Sequence, residues 1–247
     1  MEITYVAHSS FIVSFEDCNL LFDYYKGDLT SLEAKKPLYI FSSHAHWDHF
    51  NVDIVKKIKG IKEVTFILSS DIKEMKIEGE EITQYLQRNG MNCVYWLGED
   101  EKLYLKNKDK QLCITTLKST DEGVAFVIEY DSHTIFHSGD LHWWSWIGET
   151  NEYNKKMEED FKGEIRKLIG TSIDIAFLVL DPRLESRYDW GMKYCIEQLS
   201  MKYVVPMHCQ EKYSIIQQYK EDNKEDCKKI MLLDFTTMGE SKSVGND

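Results

Sequence analysis

The sequence predicts an α/β protein with two β-sheets in the middle and helices outside, built as one compact domain. Three observations carry this. Short runs of β-branched, aromatic and aliphatic residues crowd the first forty-odd positions, a second series fills residues 93–136, and helical and strand patterns alternate from there on. The 247 residues suffice for one sizeable core. A hydrophobic content of 43%, with 13% aromatics, is that of a folded chain and not of a disordered one.

The elements follow in order. Ile3–Ala7, Phe11–Phe15 and Leu20–Tyr24 read as antiparallel strands separated by Ser9-Ser10 and Glu16-Asp17. Leu38–Phe41 is a fourth strand. Asn51–Lys59 has helical spacing of Val52, Ile54, Val55 and Ile58 behind Asn51 as N-cap. Val64–Leu68 is a strand, and Glu80–Asn89 a short helix ending near Gly90. Cys93–Leu97, Lys102–Leu105, Leu112–Leu117, Val124–Tyr130 and Thr134–Phe136 form the second series of strands. Asn151–Ile169 is a charged helix whose Met157, Phe161, Ile165, Leu168 and Ile169 make one apolar stripe closed by Gly170. Ile173–Leu180 is a continuous apolar strand, Trp190–Met201 a helix, Val204-Val205 a brief strand, Lys212–Tyr219 a helix and Ile230–Leu233 a last strand before a frayed end.

Charge and composition exclude several roles. Thirty basic against forty-two acidic residues give a net charge of −12, which disfavours non-specific binding to nucleic acid or anionic lipid. The six cysteines are scattered without CxxC spacing and read as reduced, mostly buried thiols. The opening Met1-Glu2-Ile3-Thr4 has neither the basic nor the apolar region of a secretory signal, and the run Ile175–Leu180 is too short to span a bilayer. A cytoplasmic protein acting on a small molecule, without nucleic-acid or membrane partner, is the expectation.

The chemistry concentrates in Ser42-Ser43-His44-Ala45-His46-Trp47-Asp48-His49-Phe50. Three of the eight histidines and one aspartate fall within six positions, on the loop leaving the Leu38–Phe41 strand. Imidazole nitrogen and carboxylate oxygen suit zinc, with manganese and iron also possible. Six positions cannot fold four donors onto one ion without strain, but a loop can aim His44 and His46 one way and Asp48 and His49 another, which suits two adjacent metals. Asp23 ends the third strand and reads either as a turn former or as a carboxylate orienting a metal-bound histidine. His8, between two strands, reads as a turn residue or a supporting group. Phe136-His137-Ser138-Gly139-Asp140 and Val204-Val205-Pro206-Met207-His208 are strand ends that each deliver one further donor.

His44-x-His46-x-Asp48-His49, followed by Gly139-Asp140 and the late His208, resembles the metallo-β-lactamase superfamily, and within it the small single-domain metal-dependent hydrolases. The resemblance covers nearly the whole chain, including Leu21-Phe22-Asp23. It implies a four-layer αββα sandwich and a two-metal centre. His44 and His46 would bind the first metal, Asp48, His49 and His208 the second, Asp140 would bridge them, and Asp23 would support the cluster.

One element departs from that pattern. A further histidine is expected at a strand end between the loop and Gly139-Asp140, yet none occurs between His49 and His133. Ser119 stands near the expected position, in Ser119-Thr120-Asp121-Glu122-Gly123. Three accounts compete: Asp121 replaces the imidazole, His142 reaches in, or the first site is weak or empty. Asp121 is preferred over His142, against the plainer reading of the segment as an acidic turn.

Such a site predicts a hydrolase that activates water at one or two metals against a small-molecule ester, amide, lactone or phosphoester, with Asp48 binding metal and orienting the nucleophile. Trp143 and Trp144 read either as pocket wall or as packing, since neighbours on extended backbone cannot both face inward. Arg183 could clamp a carboxylate or phosphate, although an ion pair with Asp181 or Glu185 is the preferred reading. Cys209 reads as a packing thiol. The alternatives are a protein of the same fold with lost or non-hydrolytic activity, and a nuclease, for which an acidic chain lacks the basic groove.

Overall fold

The computed structural model describes residues 1–245, which form two compact units: residues 1–98 with the stretch from Thr236, and residues 99–235. In the first unit the strands are β1 (Glu2–Ala7), β2 (Ser10–Ser14), β3 (Asn19–Phe22), β4 (Leu38–Ser42), β5 (Val64–Ser69), the small hairpin β6 (Lys76–Ile77) and β7 (Glu80–Glu81), and β8 (Val94–Leu97). Helix α1 (Ile54–Lys57) lies between β4 and β5, and α2 (Ile82–Arg88) precedes β8. The chain's last strand, β16 (Ser241–Ser243), returns to this unit, and the sheet order is β16-β1-β2-β3-β4-β5-β8. Pairing is antiparallel from β16 to β3 and parallel from β3 to β8.

Alternation decides what this sheet covers. Ile12, Leu21, Ile40 and Phe66 point to one face, where Ile54 and Val55 of α1 and Ile82, Tyr85 and Leu86 of α2 close the cluster. Every residue of β3 and β4 is buried, as parallel strands covered on both faces require.

The second unit repeats the plan with a different sequence. Its sheet runs in chain order through β9 (Lys102–Asn107), β10 (Lys110–Lys118), β11 (Val124–Tyr130), β12 (His133–His137), β13 (Ser172–Val179), β14 (Ser200–Met207) and β15 (Met231–Leu232). The first four are antiparallel and the last three continue in parallel, through crossovers that carry α3 (Asn151–Arg166), α4 (Trp190–Gln198) and α5 (Ser214–Asp222). Phe161 and Ile165 of the α3 stripe are buried, while Ile169 is exposed beyond the helix end.

Several boundaries differ from the sequence expectation. The helix expected over Asn51–Lys59 is only α1, because Asn51 Oδ1 accepts the Asp53 N–H at 2.9 Å and Asn51 Nδ2 donates to Tyr25 O at 2.7 Å, spending the cap on a turn. The helix expected to reach Met201 stops at Gln198, because Ser200 and Met201 are drawn into parallel register with Ser172 and Ile173. For the same reason Val204-Val205 is the middle of an eight-residue strand. Glu80 and Glu81 pair with Ile77 and Lys76 and not with the helix that follows. Of the end expected to fray, the described part is paired: Ile3 pairs with Lys242, and Val244 donates to Met1 O at 3.0 Å; residues 246–247 lie outside the described residues.

The same plan has the same consequence in both units. Adjacent parallel strands leave the sheet side by side at their carboxyl ends, where α/β sheets place ligands. Asp23 follows β3, the His44–His49 loop follows β4, and Asp71 follows β5. Asp140 follows β12, Asp181 follows β13, and His208 follows β14.

Candidate metal centre

The first-unit cluster is built from Asp23 outward. This fully buried residue turns the chain out of β3 with φ 43°. Its Oδ1 accepts the Ser43 N–H at 2.7 Å, and its Oδ2 accepts the Ser43 hydroxyl at 2.8 Å and His49 Nδ1–H at 2.7 Å. A carboxylate only accepts, so His49 carries its proton on Nδ1 and presents Nε2 as a lone-pair donor. The Ser43 hydroxyl has given its hydrogen to Asp23 and therefore accepts His44 Nδ1–H at 2.9 Å, which leaves His44 Nε2 as a lone-pair donor too. One buried carboxylate thus fixes the tautomers of two histidines, one directly and one through a serine.

Both rings are fully buried, with centroids 4.1 Å apart, whereas His46 is exposed. The turn that places them uses His46 O, which accepts the His49 N–H at 3.0 Å and the Phe50 N–H at 2.9 Å. Donor atoms of His44 and His46 lie within 4.8 Å of each other, and so do those of His8, Asp48 and His49. The loop therefore divides its donors into two groups. His8 is the addition. At the β1–β2 turn with φ 53°, its Nε2 is 3.6 Å from Asp48 Oδ2 and its ring is edge-on to His49 at 5.7 Å. Strand order alone could have pointed to it, since the β1–β2 turn belongs to strands beside β3 in the sheet: β2 pairs with β3 and β1 with β2.

The second unit repeats the device. His208 leaves β14 with φ 62° and is buried; its Nδ1–H donates to Asp181 Oδ2 at 2.8 Å, and its Nε2 lies 3.5 Å from Asp140 Oδ1. Asp181 is fully buried and is held by Arg183, whose backbone N–H donates at 2.8 Å and whose Nε and Nη2 donate at 3.0 and 2.5 Å. Burial alone would raise the Asp181 pKa, but the hydrogen bonds from His208 and Arg183 hold it well below the usual carboxylate range. At His208, burial pulls the pKa down and Asp140, then Asp181, more than offset it. Sequence reasoning treated Asp181 only as the partner of Arg183; its hold on His208 becomes visible once β13 and β14 are paired.

Asp140 is held through its backbone. Trp144 Nε1–H donates to Asp140 O at 2.8 Å, and the Thr120 hydroxyl accepts the His142 N–H at 2.9 Å while donating to His142 O at 2.6 Å. Trp144 is buried and edge-on to His208 at 5.6 Å, whereas Trp143 turns the other way, toward Phe161 and Trp190, with Lys162 Nζ 4.2 Å from its ring. His142 is buried against Gly191, and burial lowers its pKa to about 3, so it is neutral. Asp121 is exposed in a turn closed by Ser119 N–H to Gly123 O at 3.2 Å, its own N–H donating to Ser119 Oγ at 3.2 Å. Arg183, half exposed, spends its guanidinium on Asp181. Cys209 is buried, with its thiol against Met207 O and its pKa pushed up by burial.

A model of the beta-lactamase superfamily domain matches residues 2–146, more than half of the sequence. The chain belongs to this superfamily. A curated metal-dependent hydrolase from Salinibacter ruber is 26% identical over 152 residues; the match covers 57% of this superfamily member and 62% of that protein, less than two thirds of its length. Among solved structures, the metallo hydrolase Igni18 from Ignicoccus hospitalis is similar with a TM-score of 0.65 at 16% identity, over 100% of this chain and 99% of that one. The metallo-beta-lactamase fold protein YhfI from Bacillus subtilis gives 0.57 at 11% identity, covering 98% of both chains. The two seven-stranded sheets with their helices are this α/β fold, as the sequence resemblance implied.

The side chains form a donor set that could hold metal ions. Three histidines, His44, His49 and His208, have Nδ1 committed to Ser43, Asp23 and Asp181, the arrangement that orients imidazole Nε2 toward an ion. Asp48 and Asp140 supply oxygen donors within each unit. Imidazole with carboxylate and no thiolate accommodates zinc, manganese or iron.

Proposed function

We propose that this protein is a metal-dependent hydrolase of a small-molecule ester, amide, lactone or phosphoester, with His44, His46, Asp48, His49, Asp140 and His208 as metal ligands. The observation that carries this is the pair of buried carboxylate–histidine contacts, Asp23–His49 and Asp181–His208, one in each unit. A buried aspartate on Nδ1 has a cost in desolvation, and its return is an imidazole fixed in tautomer and direction for a ligand on Nε2. When bound, zinc or a similar ion lowers the pKa of coordinated water and polarises the oxygen of the bond to be cleaved. Asp48, half-buried in the loop, would help hold the ion and could accept a hydrogen bond from such a water. Trp144 and Thr120 hold the peptide around Asp140, so its carboxylate is presented from a fixed backbone.

A cytoplasmic setting remains our expectation, and no helix among the described residues is long and apolar enough to cross a membrane. One observation favours a second reading: the segment where the family resemblance implies a histidine is a self-contained turn with Asp121 exposed. A centre with a weak first site would bind one metal tightly and hydrolyse poorly. Elemental analysis of purified protein and of His46→Ala, together with metal-dependent hydrolysis of a panel of p-nitrophenyl esters and phosphoesters, tests the proposal. One to two equivalents of metal in the wild type, reduced in the variant, are expected. Wild-type protein that neither retains nor takes up zinc, manganese or iron refutes it.

A further inference from the structure

We infer that Asp71 is a positioning residue for the metal held by His44 and His46, acting through the peptide between them; this rests on the metal-centre reading above. Strands β4 and β5 pair in parallel with Ser42 opposite Leu68, so Ala45 and Asp71, each three residues further on, occupy equivalent places beyond the ladder. The backbone ladder ends there, and Asp71 continues it with its side chain. Its Oδ2 accepts the Ala45 N–H at 2.8 Å. That N–H belongs to the peptide joining His44 to Ala45, and one further residue reaches His46. Fixing this peptide fixes the rotation that sets the two imidazoles relative to each other. His44 is already anchored through Ser43, and His46, which is exposed, follows the Ala45 peptide directly.

The second oxygen supports the assignment. Asp71 Oδ1 is buried and accepts no hydrogen bond among the described residues. A turn former could be asparagine or serine without burying an uncompensated carboxylate oxygen. A carboxylate makes the stronger, charge-assisted bond to the Ala45 N–H and adds negative charge beside histidines that would bind a cation. The 3-10 turn Ser70–Glu74 that carries Asp71 rests on the buried Ile72, so the carboxylate is presented from a packed element.

The test uses the full chain with zinc in competition with a chromophoric chelator, and the visible spectrum of the cobalt-substituted protein. Asp71→Ala is expected to weaken the less tightly held metal about 10- to 100-fold, the usual effect of losing a group that orients a ligand, and to alter the cobalt spectrum. Asp71→Asn keeps an oxygen acceptor without the charge and is expected to bind the metal between the wild type and Asp71→Ala. If Asp71→Ala does not fold, Asp71→Glu, which displaces the oxygen by one methylene, is expected to shift the cobalt spectrum. A variant that melts earlier yet keeps wild-type zinc affinity and cobalt spectrum makes Asp71 a merely structural residue and overturns the inference. Wild-type protein that binds no metal sinks the functional proposal itself, a different and separately visible failure.

Discussion

Asp181→Ala is the sharpest perturbation available in the second unit. The carboxylate is fully buried, accepts His208 Nδ1–H at 2.8 Å, and accepts hydrogen bonds from three N–H groups of Arg183. Truncation leaves the buried His208 Nδ1–H without its acceptor, a loss of about 1–3 kcal/mol. Arg183 is half exposed, so its guanidinium recovers water and adds little. Once the Nδ1 proton is no longer fixed, Nε2 can take the proton instead and stop being a donor. That lowers metal affinity about 10- to 100-fold, or roughly 1.4–2.8 kcal/mol. Asp181→Asn should fall between, because one amide oxygen must serve both His208 and Arg183. Chelator competition on the wild type and both variants, with thermal melts of the metal-free proteins, separates the two effects. Metal-free Asp181→Ala melting lower while binding zinc with wild-type affinity would refute the argument that the aspartate orients a ligand.

Two further outcomes follow from the packing and the charges. A Cβ at Gly191 would sit 2.3 Å from His142 Cε1 and 2.4 Å from its Nδ1, so Gly191→Ala should cost about 1–3 kcal/mol by overpacking. The added change His142→Ala should return much of it in thermal melts; a Gly191→Ala protein melting like the wild type contradicts the contact. At Glu240, burial raises the pKa, but the Thr236 N–H and Lys242 more than offset it and hold it below the usual carboxylate value. A depressed folded pKa stabilises above the unfolded value and is lost as pH falls through the folded one, so protection of the Tyr5 amide, which donates to Glu240 O, should weaken below about pH 4.5. Glu240→Gln should show weaker protection at neutral pH and converge with the wild type in acid; parallel profiles would exclude this carboxylate as the cause.

Much of the fold was legible, as were the residues of the candidate centre, because the determinants are local. The alternation of Ile12, Leu21, Ile40 and Phe66 specifies strands, the stripe of Phe161 and Ile165 specifies α3, and the spacing His44-x-His46-x-Asp48-His49 already separates its donors into two groups. Asp140 and His208 were legible too, as polar residues ending apolar strands. Helix ends were less so: Ser200 and Met201 have helical neighbours on one side, and only their register with Ser172 and Ile173 makes them strand. What tertiary structure alone decided is the support beneath the donors. Asp181 reads as the ion-pair partner of Arg183 until β13 lies next to β14 and brings it to His208. His8 and Asp71 come to Asp48 and Ala45 by strand pairing across 40 and 26 residues. A sequence states which atoms can donate to a metal; which hydrogen bonds fix their protons and directions depends on neighbours that only the sheets bring together.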